Sequence, residues 1–447
     1  GGAVAATEAP ATAISTVGSV LTGGVVGSVQ LGRQLGHRNI ISTDVGGTTF
    51  LAGLIVDGEP VRATTTVINH HPINVPTLKV DAIGSGGGAI AWLDGGGNLR
   101  IGPRSAGAVP GPACYGDGGT EPTNTDANLV LGLLPARGLL GGRKPLSLEL
   151  GRQAIDTQIA KPLGLTIEEA AAAIHAVQNA QTGDLLRKTV VEAGHDPRGF
   201  VLYAFGGAGP AHCARYAAEV GVAQVVVPLG PVASAFSAFG LASSDIVLAA
   251  ELSDPTFVPF DPARAERNFA DLEKRVREGL DRQGLAFETV ELYREIDMRY
   301  TMQLAEVTTP VAAGALDTAA IEAAAAGFEE RYAALYGADA GFREAGIQAI
   351  TFRVRGVGVL PFSPALPEVP PAASPDPSDA QAGSRPVCLD AATGYVDTAI
   401  YDYLRLRSGH VLTGPAVVEV PTTTVVVPAG TTATVDDLGN LTIRSES

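Results

Sequence analysis

The sequence predicts an α/β fold followed by a β-rich C-terminal part. Three observations carry that prediction. Val201-Leu202-Tyr203-Ala204-Phe205 reads as a buried strand running into Gly206-Gly207-Ala208-Gly209-Pro210, after which Ala211 to Val220 reads as a helix and Val225-Val226-Val227 as a second buried strand. Strand, glycine turn, helix, strand is the unit from which α/β sheets are built. Ile40-Ile41-Ser42-Thr43-Asp44-Val45 is another strand, closed by the tight turn Gly46-Gly47-Thr48-Thr49. The last 40 residues alternate as short strands over 416–420, 424–427, 432–435 and 441–443, with a turn at Asp437 to Asn440.

Composition sets the frame around these elements. A chain of 447 residues suggests two or three domains at about 150 residues each. Its 31 basic and 47 acidic residues leave a net charge of -16. Phosphate surfaces repel such a chain, which excludes broad binding to nucleic acid or to anionic membranes. The three cysteines, Cys114, Cys213 and Cys388, form no CxxC pair. Neither a disulfide framework nor a thiolate zinc site is indicated, and a reducing cytoplasm is the expected location. No apolar run reaches the ~18 residues of a membrane span. The opening Gly1-Gly2-Ala3-Val4 has no initiator Met and no basic leader, and reads as the start of a cleaved, split or partial chain.

The remaining elements follow in order. Val17, Val20, Leu21 and Val25 suit a helix face weakened by Gly23-Gly24. Leu51 to Val56 is a strand, Asp57-Gly58 a hairpin turn, and 61–67 its return strand. Residues 81–126 are dense in glycine turns, and the interleaved Ile83, Ile90, Trp92 and Leu93 argue that they are ordered. Thr166-Ile167-Glu168-Glu169 is a capping box opening a long helix. Phe269, Leu272, Val276 and Leu280 mark an amphipathic helix, 292–307 a strand pair, and 321–336 a further helix. Eight prolines in 361–386 read as a linker or wrapping segment. The expected domains are 1–255, with a glycine-rich insert at about 70–130; an α+β domain over 256–360; the proline-rich linker; and a β-rich module over 387–447.

Three motifs carry chemistry. In Asp44-Val45-Gly46-Gly47-Thr48-Thr49 a strand delivers a carboxylate to its end, two glycines let backbone N–H groups approach an anion, and threonine hydroxyls add donors. The same residues also suit a plain hairpin with a capping aspartate. Gly206-Gly207-Ala208-Gly209 lies at a helix start, where amides face a ligand; a close strand–helix crossing would need small residues too. Gly84 to Ala89 with Gly102 to Gly107 suggests close backbone approach to a ligand or another chain, with Arg104 available for an anion. Asp81 and Asp126 stand at the edges of that block as candidate metal ligands. His37, His70 and His71 show no metal-ligand spacing, and His212 is the histidine placed nearest a glycine turn. Cys114 has no visible base partner.

Taken together, Asp44 to Thr49, Ile83 to Ala91, Gly102 to Ala108, Pro110 to Gly119, Thr125 to Gly132, Asp196-Pro197-Arg198, Phe205 to His212, Met298-Arg299-Tyr300, Gly414-Pro415-Ala416 and Thr422 to Val427 resemble the hydantoinase A / 5-oxoprolinase / acetone (acetophenone) carboxylase family. The resemblance spans most of the chain and corresponds to the C-terminal two-thirds of a large ATP-binding subunit. It implies a ribonuclease-H-like half of the actin/sugar-kinase/heat-shock-ATPase superfamily over 1–255. It implies ATP and Mg²⁺, with room for a further divalent metal. Asp44 and Thr48 become the catalytic candidates. Gly46, Gly47, Thr48 and Thr49 would cradle phosphate, Gly206, Gly207, Ala208 and Gly209 would flank the nucleoside, and Asp44 and Asp81 would serve the metal.

The implied partners are a hydantoinase B-like second subunit and an N-terminal half carrying the first phosphate loop, since no second Asp-x-Gly-Gly-Thr occurs here. Hydantoinase-like members continue the loop with Ser-Thr-Asp. Here Thr49-Phe50-Leu51 follows, which leans towards the ketone carboxylases. The expected reaction is activation of substrate or bicarbonate by phosphorylation, followed by carboxylation or by cyclic-amide hydrolysis. The alternative is a non-catalytic structural subunit of such a heteromer.

Overall fold

The computed structural model describes residues 3, 18–63, 66–68, 71–73, 77–228, 230–304, 306–362, 364–366 and 368–445. Val17, His70 and part of the expected strand over 61–67 lie outside the described residues. The chain divides into two compact units. One is built on Ala242–Pro364, the other on Val20–Val191, His195–Leu241 and Ala365–Ser447.

The larger unit is organised by a nine-stranded sheet. Its centre is three parallel strands, Ile40–Val45, Val201–Phe205 and Gln224–Val227. Val201–Phe205 and Gln224–Val227 are apolar almost throughout because both faces are covered, whereas Ile40–Val45 carries Ser42, Thr43 and Asp44 towards the end that leads into the glycine loop. Phe50–Val56 pairs antiparallel with the first and carries Val80–Ile83 and Glu59–Pro60 beyond it. On the other flank Leu441–Ser445 pairs with Gln224–Val227, followed by Thr431–Val435 and Val411–Thr413.

Helices cover both faces. Ser19–Leu35 packs on one, where a Cβ on Gly53 would meet Val25 at 2.4 Å and Ser28 hydrogen-bonds Ser42 at 3.0 Å. The opposite face carries Gly209–Glu219, whose Tyr216 hydroxyl meets Thr43 Oγ1 at 3.0 Å, and Ile167–Glu192, whose Thr189 donates to Asp81. The long helix opens on the expected capping box, with Glu169 accepting from the Thr166 N–H at 2.8 Å.

The domain boundaries differ from those read in the sequence. The C-terminal residues are not a separate module. Leu441–Ser445 and Thr431–Val435 complete the main sheet, while Ala416–Val420 and Thr423–Val427 belong to a second, four-stranded sheet of the same unit. The proline-rich stretch wraps rather than links. Val369 N–H donates to Asp437 O, Ala372 N–H to Ser408 O, and Gln381–Val387 pairs with Val396–Asp402. Proline removes donors, not acceptors, so such a segment still takes part in these ladders at its other residues.

The smaller unit is an antiparallel sheet in the order Ile246–Phe257, Ile347–Val359, Thr289–Tyr300, Val307–Val311. Pro262–Arg282 and Thr318–Tyr336 bring Phe269, Leu272, Val276 and Phe328 into its core. Buried Arg353 pairs with Asp297 at 2.7 Å and with Glu251 at 2.6 Å.

Candidate functional site

Parallel pairing brings the two glycine motifs together. Ile40–Val45 and Val201–Phe205 run side by side with Asp44 opposite Phe205, so the loops that leave their C-terminal ends emerge as neighbours. Open α/β sheets place ligands at that edge. A cavity of about 730 Å³ lies there, with Gly46, Gly47, Thr48, Gly87, Gly207 and Ala208 among its lining. That volume is within the usual range for a small-molecule site, ~300–1,000 Å³. Thr49, Gly206 and Gly209 do not line it. They shape the loops instead: Thr49 O accepts from Gly46 N–H at 3.2 Å, and Gly206, at φ +85°, lies so close to Asp44 and Val45 O that a Cβ would sit 2.4 Å from each.

The glycines fall into two groups by what surrounds them. A Cβ on Gly86 would come within 2.7 Å of the Gly46–Thr48 backbone, and one on Gly88 within 2.9 Å of Gly47 O. The N–H groups of Gly86, Gly87 and Gly88 donate to Thr48 O, Gly46 O and Gly47 O at 3.2, 3.0 and 2.6 Å. Those glycines are required by packing. A Cβ on Gly46 or Gly47 would meet no protein atom within 4 Å. Among the described residues the N–H groups of Gly47 and Thr48 donate to no protein acceptor. With their carbonyls drawn onto the second loop, these two amides are left for an external anion.

Support for the loops comes from buried polar side chains. Gln178 donates to Ser85 O at 2.8 Å, and Thr125 donates to Gly87 O from both its N–H (2.7 Å) and its hydroxyl (2.8 Å). Behind Asn128, which lines the cavity, the side-chain amides of Asn124 and Asn128 lie 3.0 and 2.9 Å from His212 Nε2. His212 stacks on His175 with ring centroids 4.7 Å apart. Burial pushes His212 down to about 4 and holds His175 well below the usual histidine range. Both rings are neutral near pH 7, and His212 supports the site from behind rather than facing it.

Asp44 and Asp81 do not form a pair. Directly opposed residues share a face of a sheet, and Asp44, Leu51 and Ala82 are one such row while Thr43, Ala52 and Asp81 are the next. The two carboxylates therefore project from opposite faces. Asp81 accepts a hydrogen bond from Thr189 at 2.8 Å and does not line the cavity. Asp44 accepts from Ser237 at 2.7 Å; burial raises its carboxyl above the usual aspartate range, and the serine bond partly opposes that.

The other sequence candidates have structural roles. Asp126 is fully buried and accepts from Cys114 N–H, Thr123 N–H and Thr123 Oγ1 as a capping box. Arg104 pairs with Glu121 at 3.1 Å. His37 Nδ1 lies 2.9 Å from the Tyr203 hydroxyl, and burial lowers its pKa. His71 is exposed. Burial raises the Cys114 thiol and pushes Cys213 up to about 12, so neither is a nucleophile.

Sequence reasoning gave no site role to Ser237, Arg137, Lys144 or the strap Thr422 to Thr424, although 422–427 was among the stretches carrying the resemblance; all except Ser237 line the cavity. Thr423 Oγ1 donates to Gly207 O at 3.0 Å, which makes the C-terminal strap a wall of the site. The signal available was the TTT run at 422–424; nothing local marks Arg137 or Ser237.

The arrangement defines a class: a glycine-lined cavity with free backbone donors at the C-terminal edge of an α/β sheet, beside the partly buried carboxylate of Asp44. It fits a phosphorylated ligand. Among the described residues no group of three or more His, Cys, Asp or Glu could hold a metal ion by itself. Mg²⁺ commonly needs only one or two carboxylates when phosphates and waters complete its shell; Asp44 does not itself line the cavity, but it ends the strand that leads into the Gly46–Thr48 loop and is the carboxylate that would serve such an ion through water.

The hydantoinase/oxoprolinase family model matches residues 1–250, and the model of the hydantoinase/oxoprolinase C-terminal domain matches 262–444. The chain belongs to the hydantoinase/oxoprolinase family. It is 36% identical over 431 residues to the acetophenone carboxylase gamma subunit of Aromatoleum aromaticum, covering 93% of this chain and 58% of that one. It is 34% identical over 417 residues to caprolactamase subunit alpha of Pseudomonas jessenii, covering 90% and 58%. The crystal structure of ATP-dependent caprolactamase from the same organism superposes with a TM-score of 0.84 at 32% identity, over 95% of this chain and 61% of that one. The chain thus spans about three-fifths of the length of these relatives. Among the described residues no helix is long and apolar enough to cross a membrane.

Proposed function

We propose that this chain forms the phosphate-binding part of an ATP-dependent enzyme that activates a carbonyl or carboxyl oxygen by phosphorylation. The observation that carries this reading is the pair of unengaged amides at Gly47 and Thr48, beside open space and facing the same cavity as Gly207 and Ala208. In that role the two amides take phosphate oxygens, Thr48 Oγ1 adds a donor, and Gly207-Ala208 gives the nucleoside a flat wall. Asp44 holds magnesium-bound water, oriented by Ser237. Mg²⁺, when bound, supplies charge neutralisation at the phosphates.

Phe50 and Leu51 leave the loop without a second carboxylate, and Phe50 is buried edge-on against Tyr216. This favours the ketone-carboxylase branch over cyclic-amide hydrolysis. The larger unit is read as a ribonuclease-H-like half, completed by an N-terminal half with the first phosphate loop. A hydantoinase B-like subunit is the proposed partner, in keeping with the subunit names of the relatives. The test is steady-state MgATP turnover of the full protein with its accompanying subunits. Asp44→Asn is expected to abolish it while the fold is retained; full turnover by the variant sinks the reading.

A further inference from the structure

Among the cations lining the cavity, Arg137 is held in an unusual way. Its guanidinium is largely exposed, with 68% of the side chain accessible, and it touches Glu419 through one nitrogen. Glu419 does not depend on it. Arg385 bonds the other carboxylate oxygen of Glu419, and is itself fixed by Gly132 O at 2.6 Å and Leu133 O at 3.0 Å. Removing Arg137 therefore leaves Glu419 paired and uncovers no buried charge, so the usual penalty for breaking a carboxylate pair is absent. Lys144, the neighbouring cation, is more tightly held, paired to Asp117 and seated 5.1 Å from the centre of the Tyr115 ring.

Arg137 also sits at the start of a glycine-rich turn. Gly138, Gly141 and Gly142 follow at φ +117°, +66° and +90°, and Leu139 and Lys144 bridge the base of the turn. A Cβ on Gly138 would lie 2.2 Å from Lys144 O, so this conformation is reserved for glycine.

We propose that Arg137 is a transferable cation that leaves Glu419 for the transferring phosphoryl group when a nucleotide occupies the cavity. The proposal rests on the ATP reading above and adds the residue that neutralises charge in the transfer itself. In that step the bond from the γ-phosphorus to its bridging oxygen breaks and the electron pair leaves on ADP. A new P–O bond forms to the acceptor oxygen, which is water, losing its proton to solvent, when the ATP is simply hydrolysed. Charge on the equatorial oxygens is what a guanidinium stabilises, two N–H groups at a time.

The test compares MgATP turnover by wild type, Arg137→Ala and Arg137→Lys in the full protein with its accompanying subunits. Arg137→Ala is expected to lower kcat by about a thousandfold or more, the lower end of the range for arginines in phosphoryl transfer, with a much smaller change in KM. Its unfolding temperature should stay close to wild type, because Arg385 still pairs the Glu419 carboxylate. Arg137→Lys should restore part of kcat. An alanine variant within threefold of wild-type kcat overturns the proposal. So does a loss that tracks a fall in unfolding temperature and is not relieved by lysine. A wild-type protein that is neither stabilised nor turned over with MgATP overturns the ATP reading itself, a result the arginine variants cannot mimic.

Discussion

Asp44 carries its charge against its surroundings. Burial raises its carboxyl pKa, so the folded state holds that proton more tightly than the unfolded chain does. Stability from this group is present below its unfolded pKa and is lost as pH rises through the folded value. Asp44→Asn removes that burden and keeps an oxygen for Ser237. Its unfolding temperature is expected to equal or exceed wild type, measured by calorimetry at pH 7, while turnover is lost. His175 and His212 set the opposite slope. Their pKa values are lowered by burial, to about 4 for His212, against ~6.5 unfolded. Between those values the unfolded chain binds more protons, so stability rises with pH. Urea unfolding at pH 5 and pH 7 should show a smaller difference for His212→Gln than for wild type.

At this scale the sequence was partly legible. Asp44, Gly46, Gly47, Thr48, Gly207 and Ala208 could be singled out because a strand feeding a glycine turn is a local pattern. Arg137 and Ser237 could not, since their relevance comes only from chain segments that folding brings alongside.

At the scale of elements, the central feature is one glycine loop bracing another. The Gly86 to Gly88 amides hold the carbonyls of Gly46 to Thr48, and Gln178 and Thr125 hold the second loop from below. Gly86→Ala is expected to cost about 2 kcal/mol, the scale of a steric insertion that forces backbone to shift, read as a lower urea midpoint. Gln178→Met removes the donor to Ser85 O and leaves that carbonyl unpaired; a cost of about 1–3 kcal/mol is expected. The strands and helices themselves were readable from period and caps: the Thr166 capping box and the 201–227 strand–helix–strand unit stand where the sequence puts them. Strand order was not. Nothing in residues 431–445 says that their neighbour is Gln224–Val227, because the partner of an edge strand is set by long-range packing. The same limit hid the opposite faces of Asp44 and Asp81. That fact follows from register across three strands, not from either residue's neighbours in sequence.

For the whole molecule, the claim is that a ligand completes what the polypeptide leaves open. A chain spanning 58% of its relatives supplies three glycine loops and a C-terminal strap to a single cavity, with Asp44 at the end of the strand that leads into the first loop. Binding at such a site must raise stability through linkage, by about 2.7 kcal/mol at a hundredfold excess over Kd. Titration of MgATP into the full protein and into Gly47→Ala tests the claim most directly. A Cβ at Gly47 meets no protein atom within 4 Å, so the variant should unfold at the same temperature as wild type, or slightly higher, when no nucleotide is present. The account predicts that MgATP binds wild type and binds Gly47→Ala at least about tenfold more weakly, because the methyl group occupies the space meant for phosphate. Equal affinity for the two proteins would contradict it.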